Sequence, residues 1–236
     1  MKKLLFVLLV AMLVTACESS PGDTDKQEPG PWEISEKLLE LASESNIAEA
    51  HNVLESIGAQ EINEVLIGVL GQWHIYHFPH KEDLELVQML LKQGADPNTL
   101  DDTGQAAVFL ARSSDMLEVF GEDSRTSLHV KTRDGATLLV QAIGARNDKK
   151  VEYLLGKGAN PNEKAEIAGG DVVSPIHFAI QYDDDLNIVR LLLDHPDIDL
   201  NQKNEEHMTP AEWAKYLDKK VAAAWIREKE TALRHS

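Results

Sequence analysis

Three histidines stand close together in the stretch QWHIYHFPH, residues 72–80. Imidazole nitrogens are common ligands for zinc, and His74 and His77 have a spacing that would put them on one face of a helix. Pro79 disrupts the turn that would bring His80 to join them, and no cysteine or carboxylate motif completes a zinc set. A metal-dependent enzyme using His74 and His77 is therefore one reading to test, with a partly buried aromatic connection as the plainer alternative. Asp183-Asp184-Asp185 is too dense for a calcium loop, which alternates its ligands with spacers around a central glycine, and reads as a solvated turn with Asp185 capping the next helix. Gly169-Gly170 lacks the following lysine that a phosphate-binding loop needs. No GxSxG or HExxH occurs, so neither a nucleophile elbow nor a zinc-protease helix is present. Cys17 is the only thiol, so no disulfide forms within the chain and stability must come from packing. The expectation is a protein that is not an enzyme and takes no cofactor or metal.

The elements that would position any of these groups are short helices. Asp83–Asn98, DLELVQMLLKQGADPN, places Leu84, Val87, Leu90 and Leu91 on one helical face, and Gly94 ends the helix in the left-handed region. A helix of this length is marginal alone and must bury its apolar face against a neighbour. The same pattern returns at 147–162, NDKKVEYLLGKGANPN, and at 185–201, DLNIVRLLLDHPDIDLN. Asn98 and Asn162 lie two units of roughly 32 residues apart, and Asn201 follows after one unit plus an insertion. Before these helices a second motif recurs. Ser174-Pro175-Ile176-His177-Phe178-Ala179 and, more weakly, Thr209-Pro210-Ala211-Glu212-Trp213-Ala214 begin with a capping residue and a first-turn proline. Residues 104–111 and 135–142 keep the glycine and final alanine but lose proline and histidine.

These two alternating motifs resemble those of ankyrin-repeat proteins, most clearly over Asp83 to Leu217. The resemblance implies an all-α solenoid of stacked helix-turn-helix units with capping units at both ends. It also implies that His177 makes structural hydrogen bonds between units and is no general base. Trp32 opens the folded part. Ile34, Leu38, Leu39 and Leu41 mark a first helix, and Asn46 with Glu49 opens a second that closes at Gly58, together forming the N-terminal cap. Residues 61–76 supply the next first helix. The unit at 99–130 is the most divergent, with a second helix near Asp115–Phe120. Residues 163–173 hold an extra loop where ankyrin hairpins project. The last helix, Val221–Ala232, is expected to turn Val221, Ala224, Trp225 and Ala232 inward as a C-terminal cap.

Residues 1–16 have a positive start at Lys2 and Lys3 and an unbroken apolar run from Leu4 to Val14, the layout of a signal peptide. Leu13-Val14-Thr15-Ala16-Cys17 resembles a bacterial lipobox. That resemblance implies a diacylglycerol thioether on Cys17, cleavage before it and acylation of the new amino group, with several acyl chains giving a stable anchor. Glu18 rather than aspartate follows, which by the enteric sorting rule implies the outer membrane, facing the periplasm. Residues 17–31 then read as lipidated cysteine plus a polar, Pro/Gly-rich tether, and 32–236 as the repeat domain.

Formal charge is −17 over 236 residues, and losing Lys2 and Lys3 with a leader makes it more negative. Such a surface repels nucleic acid and favours a basic protein partner. The ankyrin resemblance places partner contacts on a concave groove of hairpin tips and first helices. Carried over by position, the groove residues are Leu110, Arg112, Gln141, Phe178, Gln181, Tyr182, Trp213 and Tyr216, and the tip residues are Asp101, Asp102, Arg133, Asp134, Asn204 and Glu205. The groove would be aromatic at its C-terminal half. The functional expectation is a lipid-anchored periplasmic protein that binds a protein partner, in its sharper form an immunity protein inhibiting a toxin delivered to the periplasm. An envelope scaffold that stabilises or recruits a resident enzyme is the second class.

Overall fold

The computed structural model describes residues 29–59, 61–76, 80–167, 170–182 and 186–234, with backbone alone for 72–76. Cys17, the side chain of His74, His77 and Asp183–Asp185 lie outside it.

The chain folds into helix pairs. α1 (Pro31–Ser43) and α2 (Ile47–Glu55) form the first, and α3 (Ile62–Tyr76) and α4 (Lys81–Lys92) the second. A 3-10 turn, Ala107–Leu110, precedes α5 (Ser114–Glu122). Three pairs follow: α6 (Leu138–Gly144) with α7 (Asp148–Gly156), α8 (Pro175–Tyr182) with α9 (Asn187–Asp194), and α10 (Pro210–Tyr216) with α11 (Lys220–Arg234).

The helices stack in two rows. In the row of second helices α2 packs on α4, α4 on α5, α5 on α7, α7 on α9 and α9 on α11. In the row of first helices α1 packs on α3, α3 on the 3-10 turn, α6 on α8 and α8 on α10. The packing follows from a buried pair repeated at one register of the second helices: Leu86-Val87, Met116-Leu117, Ile188-Val189 and Ala222-Ala223. Fully buried leucines at 38, 54, 66, 86, 90, 117 and 154 join one core along the whole stack. Burying one such side chain contributes about 1.5–3 kcal/mol. Ion pairs such as Lys37–Glu40 and Lys81–Glu85 are solvent-exposed and screened by water, so the leucines hold the stack.

The caps follow local chemistry. Asn46 accepts from Glu49 N (3.3 Å), Thr137 from Val140 N (3.2 Å) and Asn147 from Lys150 N (3.0 Å). Thr209 and Glu212 form a reciprocal capping box. Gly94 and Gly158 have φ of +108° and +88°, as the ends of α4 and α7 require. The insertion before α8 is a hairpin. β1 (Ala165–Glu166) pairs antiparallel with β2 (Val172–Val173), Ala165 opposite Val173.

Two expectations fail. Residues 104–111, read as a first helix reaching toward Arg112, form only the 3-10 turn. Ala106 occupies its N-cap with no side-chain acceptor to offer, while Ser113 caps α5 through Met116 N (3.0 Å), so Ala111 and Arg112 must already turn the chain. The last helix buries Ala222, Ala223 and Ile226 and leaves Val221 exposed. Small alanines, rather than the larger Val221, face the neighbouring helices.

Candidate functional site

The first helices and the turns before them share one surface, and the turns are built alike. Asp101 Oδ1 accepts from Gln105 N (2.8 Å), Thr132 Oγ1 from Ala136 N (2.9 Å) and Asn204 Oδ1 from Met208 N (2.8 Å). Each closes a four-residue turn whose third residue past it, Gly104, Gly135 or His207, has positive φ. Burial pushes the Asp101 carboxyl up, but hydrogen bonds from Thr103, Gln105 and Gly104 outweigh it and hold the group below its ordinary range. Asp101, expected as a tip contact, is therefore a turn organiser, and so is Asn204. Thr132 was not singled out in the sequence, although its place in the repeat matches theirs. Asp102, Arg133 and Asp134 stand exposed at the tips. Glu205 accepts from Val172 N (3.2 Å), which ties the β1–β2 hairpin to the next tip.

Along the first helices the expected groove residues separate. Trp213 is only 8% exposed and belongs to the core, which corrects its assignment to the groove surface; Leu110, equally buried, shows that surface only an edge, in the walls of two hollows. The 3-10 turn that carries Leu110 packs on α3, and the Trp213 ring stacks on Tyr216 of its own helix. Phe178 is half-buried against Gly144, where an added Cβ would come within 3.2 Å of its ring. Tyr182 and Tyr216 are 40% and 68% exposed. They are held by Phe178–Tyr182, with ring centroids 4.8 Å apart and tilted, and by Trp213–Tyr216, 5.4 Å apart and stacked. Gln181 is exposed and donates from Nε2 to the Tyr182 hydroxyl (3.1 Å). Arg112 is exposed, and Gln141 is half-buried on α6.

Two hollows lie in the N-terminal half of this surface. One, of about 430 Å³, runs between α1, α3 and the Asp101–Asp102 tip, with Trp32, Ile67 and Leu110 in its wall. The other, of about 360 Å³, lies where the 3-10 turn has replaced a full helix, between Gln105, Leu110, Arg112, Gln141 and Lys150.

Lys150 is the residue that sequence reading missed. It stands on α7 at the register where α4, α5, α9 and α11 bury Leu86, Met116, Ile188 and Ala222. It is 3% exposed, and Nζ donates to Ala111 O at 2.7 Å. Burial, reinforced by the Arg112 charge, lowers its pKa to about 8. A charged residue in an apolar column was the available signal.

His177 behaves as the motif implies. Its Nδ1 lies 2.6 Å from the Ser174 hydroxyl and its Nε2 3.0 Å from Met208 O, so the neutral ring with hydrogen on Nε2 donates to the next unit. Burial lowers its pKa, partly offset by the bond to Met208. The repeated asparagines also link units. Asn98 donates to Arg125 O and accepts from Ser127 N, while Asn162 donates to Asp197 O and accepts from Asp199 N. Among the described residues no cluster of three or more histidines, cysteines and carboxylates could hold a metal ion. No helix among them is long and apolar enough to cross a membrane.

Family profiles agree with this geometry. A three-copy ankyrin-repeat profile matches residues 75–165 and a single-copy profile residues 173–205, together just over half of the chain. The chain belongs to the ankyrin-repeat family. Similar proteins include the ANK repeat-containing protein nipk-1 of Caenorhabditis elegans, 35% identical over 92 residues, which are 39% of this chain and 15% of that protein. The mouse B-cell lymphoma 3 protein homolog is 36% identical over 118 residues, 47% of this chain and 25% of that protein. Human Rabankyrin-5 is 26% identical over 129 residues, 53% of this chain and 11% of that one. The chain thus spans a quarter or less of the length of these relatives. The solved ankyrin repeat domain of Bcl-3 superposes with a TM-score of 0.62 at 21% identity, over 81% of this chain and 85% of that domain, which shows the shared fold. Ankyrin units of this kind point to protein–protein interaction as the role.

Proposed function

We propose that this ankyrin-repeat chain is a lipid-anchored periplasmic protein that binds a protein partner on the surface formed by its first helices and tips. The observation that carries the reading is the pair of exposed tyrosines, Tyr182 and Tyr216, each braced by a second ring at the C-terminal half of that surface. Rigid aromatic side chains held in place lose little entropy on binding and dominate interface energetics once desolvated. The chain's charge of −17 favours a partner with a basic surface and speeds the encounter. In its finer form the protein is an immunity factor that inhibits a toxin delivered to the periplasm, for which an anchor at Cys17 would hold the inhibitor where the toxin arrives.

A partner captured from bacterial envelope extract, purified and titrated, tests the surface. Tyr182→Ala with Tyr216→Ala should weaken binding at least tenfold, about 1.4 kcal/mol, while Glu152→Gln on a second helix should leave it unchanged. Equal affinity of all three forms would refute the surface. The anchor is checked separately, because Cys17→Ser should abolish incorporation of labelled palmitate.

A further inference from the structure

The hollow beside the 3-10 turn differs from the rest of this acidic protein. It forms because the chain omits a helical turn between Leu110 and Ser114, which would otherwise fill the space between the 3-10 turn and α6. Two cationic side chains, Arg112 and Lys150, contribute to its wall, together with the amides Gln105 and Gln141 and the apolar Phe109 and Leu110. Among the described residues no carboxylate lines it, in a chain with 40 acidic residues against 23 lysines and arginines. Lys150 reaches this place from the second-helix row and is buried at a register that is apolar in α4, α5, α9 and α11. Among the described residues its ammonium group has one hydrogen bond, to Ala111 O, of the three it can donate.

We infer that this hollow is a subsite for a glutamate side chain of the protein partner. The guanidinium fork and ammonium match a carboxylate, the two amides can donate to its oxygens, and Phe109 and Leu110 meet the methylene stem. The apolar part of the wall favours a carboxylate on a hydrocarbon stem over inorganic phosphate. An anion here also offsets the repulsion between Arg112 and Lys150, which holds the Lys150 proton less tightly. The subsite rests on the reading that the first-helix surface takes a protein partner, and it adds one acidic anchor to a partner whose remaining surface is basic.

Glutarate, a five-carbon dicarboxylate, is the probe. In the full chain labelled with ¹⁵N, at pH 7 and constant ionic strength, glutarate should shift the Gln105 and Gln141 side-chain amides and the Ala145 backbone amide saturably, with Kd near 1 mM. Glutaramide should not shift them. Arg112→Gln and Lys150→Met should each weaken the effect at least tenfold. Arg112 is exposed, so its variant keeps the test valid if Lys150→Met disturbs folding. Non-saturable shifts, unchanged glutarate affinity in Arg112→Gln, or tighter binding of phosphate than of glutarate would each overturn the subsite. None of these results would alter partner capture through Tyr182 and Tyr216, so the two readings fail separately.

Discussion

At the scale of single residues, Lys150 contributes a pH dependence on the alkaline side. Its pKa is about 8 in the folded chain, against the ordinary lysine value of 10.5. Below pH 8 both folded and unfolded forms carry the proton, and the cost of burying the charge is fully present. Between about 8 and 10.5 the unfolded chain holds more protons, so stability rises with pH, by on the order of 3 kcal/mol across the window. Denaturant unfolding of wild type and Lys150→Met at pH 7, 8, 9 and 10 should show the wild type gaining on the variant as pH rises. A constant difference would mean that the ammonium is better solvated than its burial indicates. At pH 7 the variant removes a buried charge but leaves Ala111 O without its donor, two effects of similar size, so its stability there should change by less than about 2 kcal/mol.

At the scale of elements, close approach between neighbouring units decides which residues are tolerated. Gly121 lies inside α5, where a Cβ would fall well within contact distance of the Tyr153 hydroxyl on α7. Gly121→Ala should therefore lower stability by about 1–3 kcal/mol despite its better helix propensity. Tyr153→Phe in the same chain should restore part of the loss, because the hydroxyl is the nearest atom. Thermal unfolding of the single and double variants measures this, and no recovery would place the clash elsewhere.

Much at this scale could be read in the sequence. Helix starts at Asn46, Thr137, Asn147 and Thr209, the glycine ends at Gly94 and Gly158, and the inter-unit bond from His177 follow from local chemistry that each residue carries with it. What could not be read depends on neighbours. Residues 104–111 keep a helix-like spacing, yet the missing cap at Ala106 and the competing cap at Ser113 leave room for one turn only. Leu110 and Trp213 occupy the positions expected to face the groove, but the depth of each is set by the helix beside it. Asp101 looked like a free tip charge because its hydrogen bonds to Thr103 and Gln105 form only when the turn closes.

At the scale of the whole molecule, the leucine core and the second-helix row run without a break from α2 to α11, while the first-helix row thins at the 3-10 turn. Neighbouring units in such arrays contribute interface energies nearly independently, so a weak junction can divide one cooperative transition into two. The omitted turn makes that junction a fracture line. Brief trypsin treatment should make its first cut within residues 29–234 after Arg112, giving two halves that stay together until denatured. Hydrogen exchange should show α8–α11 holding their amides after α1–α4 have released theirs. Each half would then tolerate damage on its own terms: a substitution that melts the N-terminal block would leave the tyrosine-bearing block folded, and a partner gripping both would act as the splint across the break.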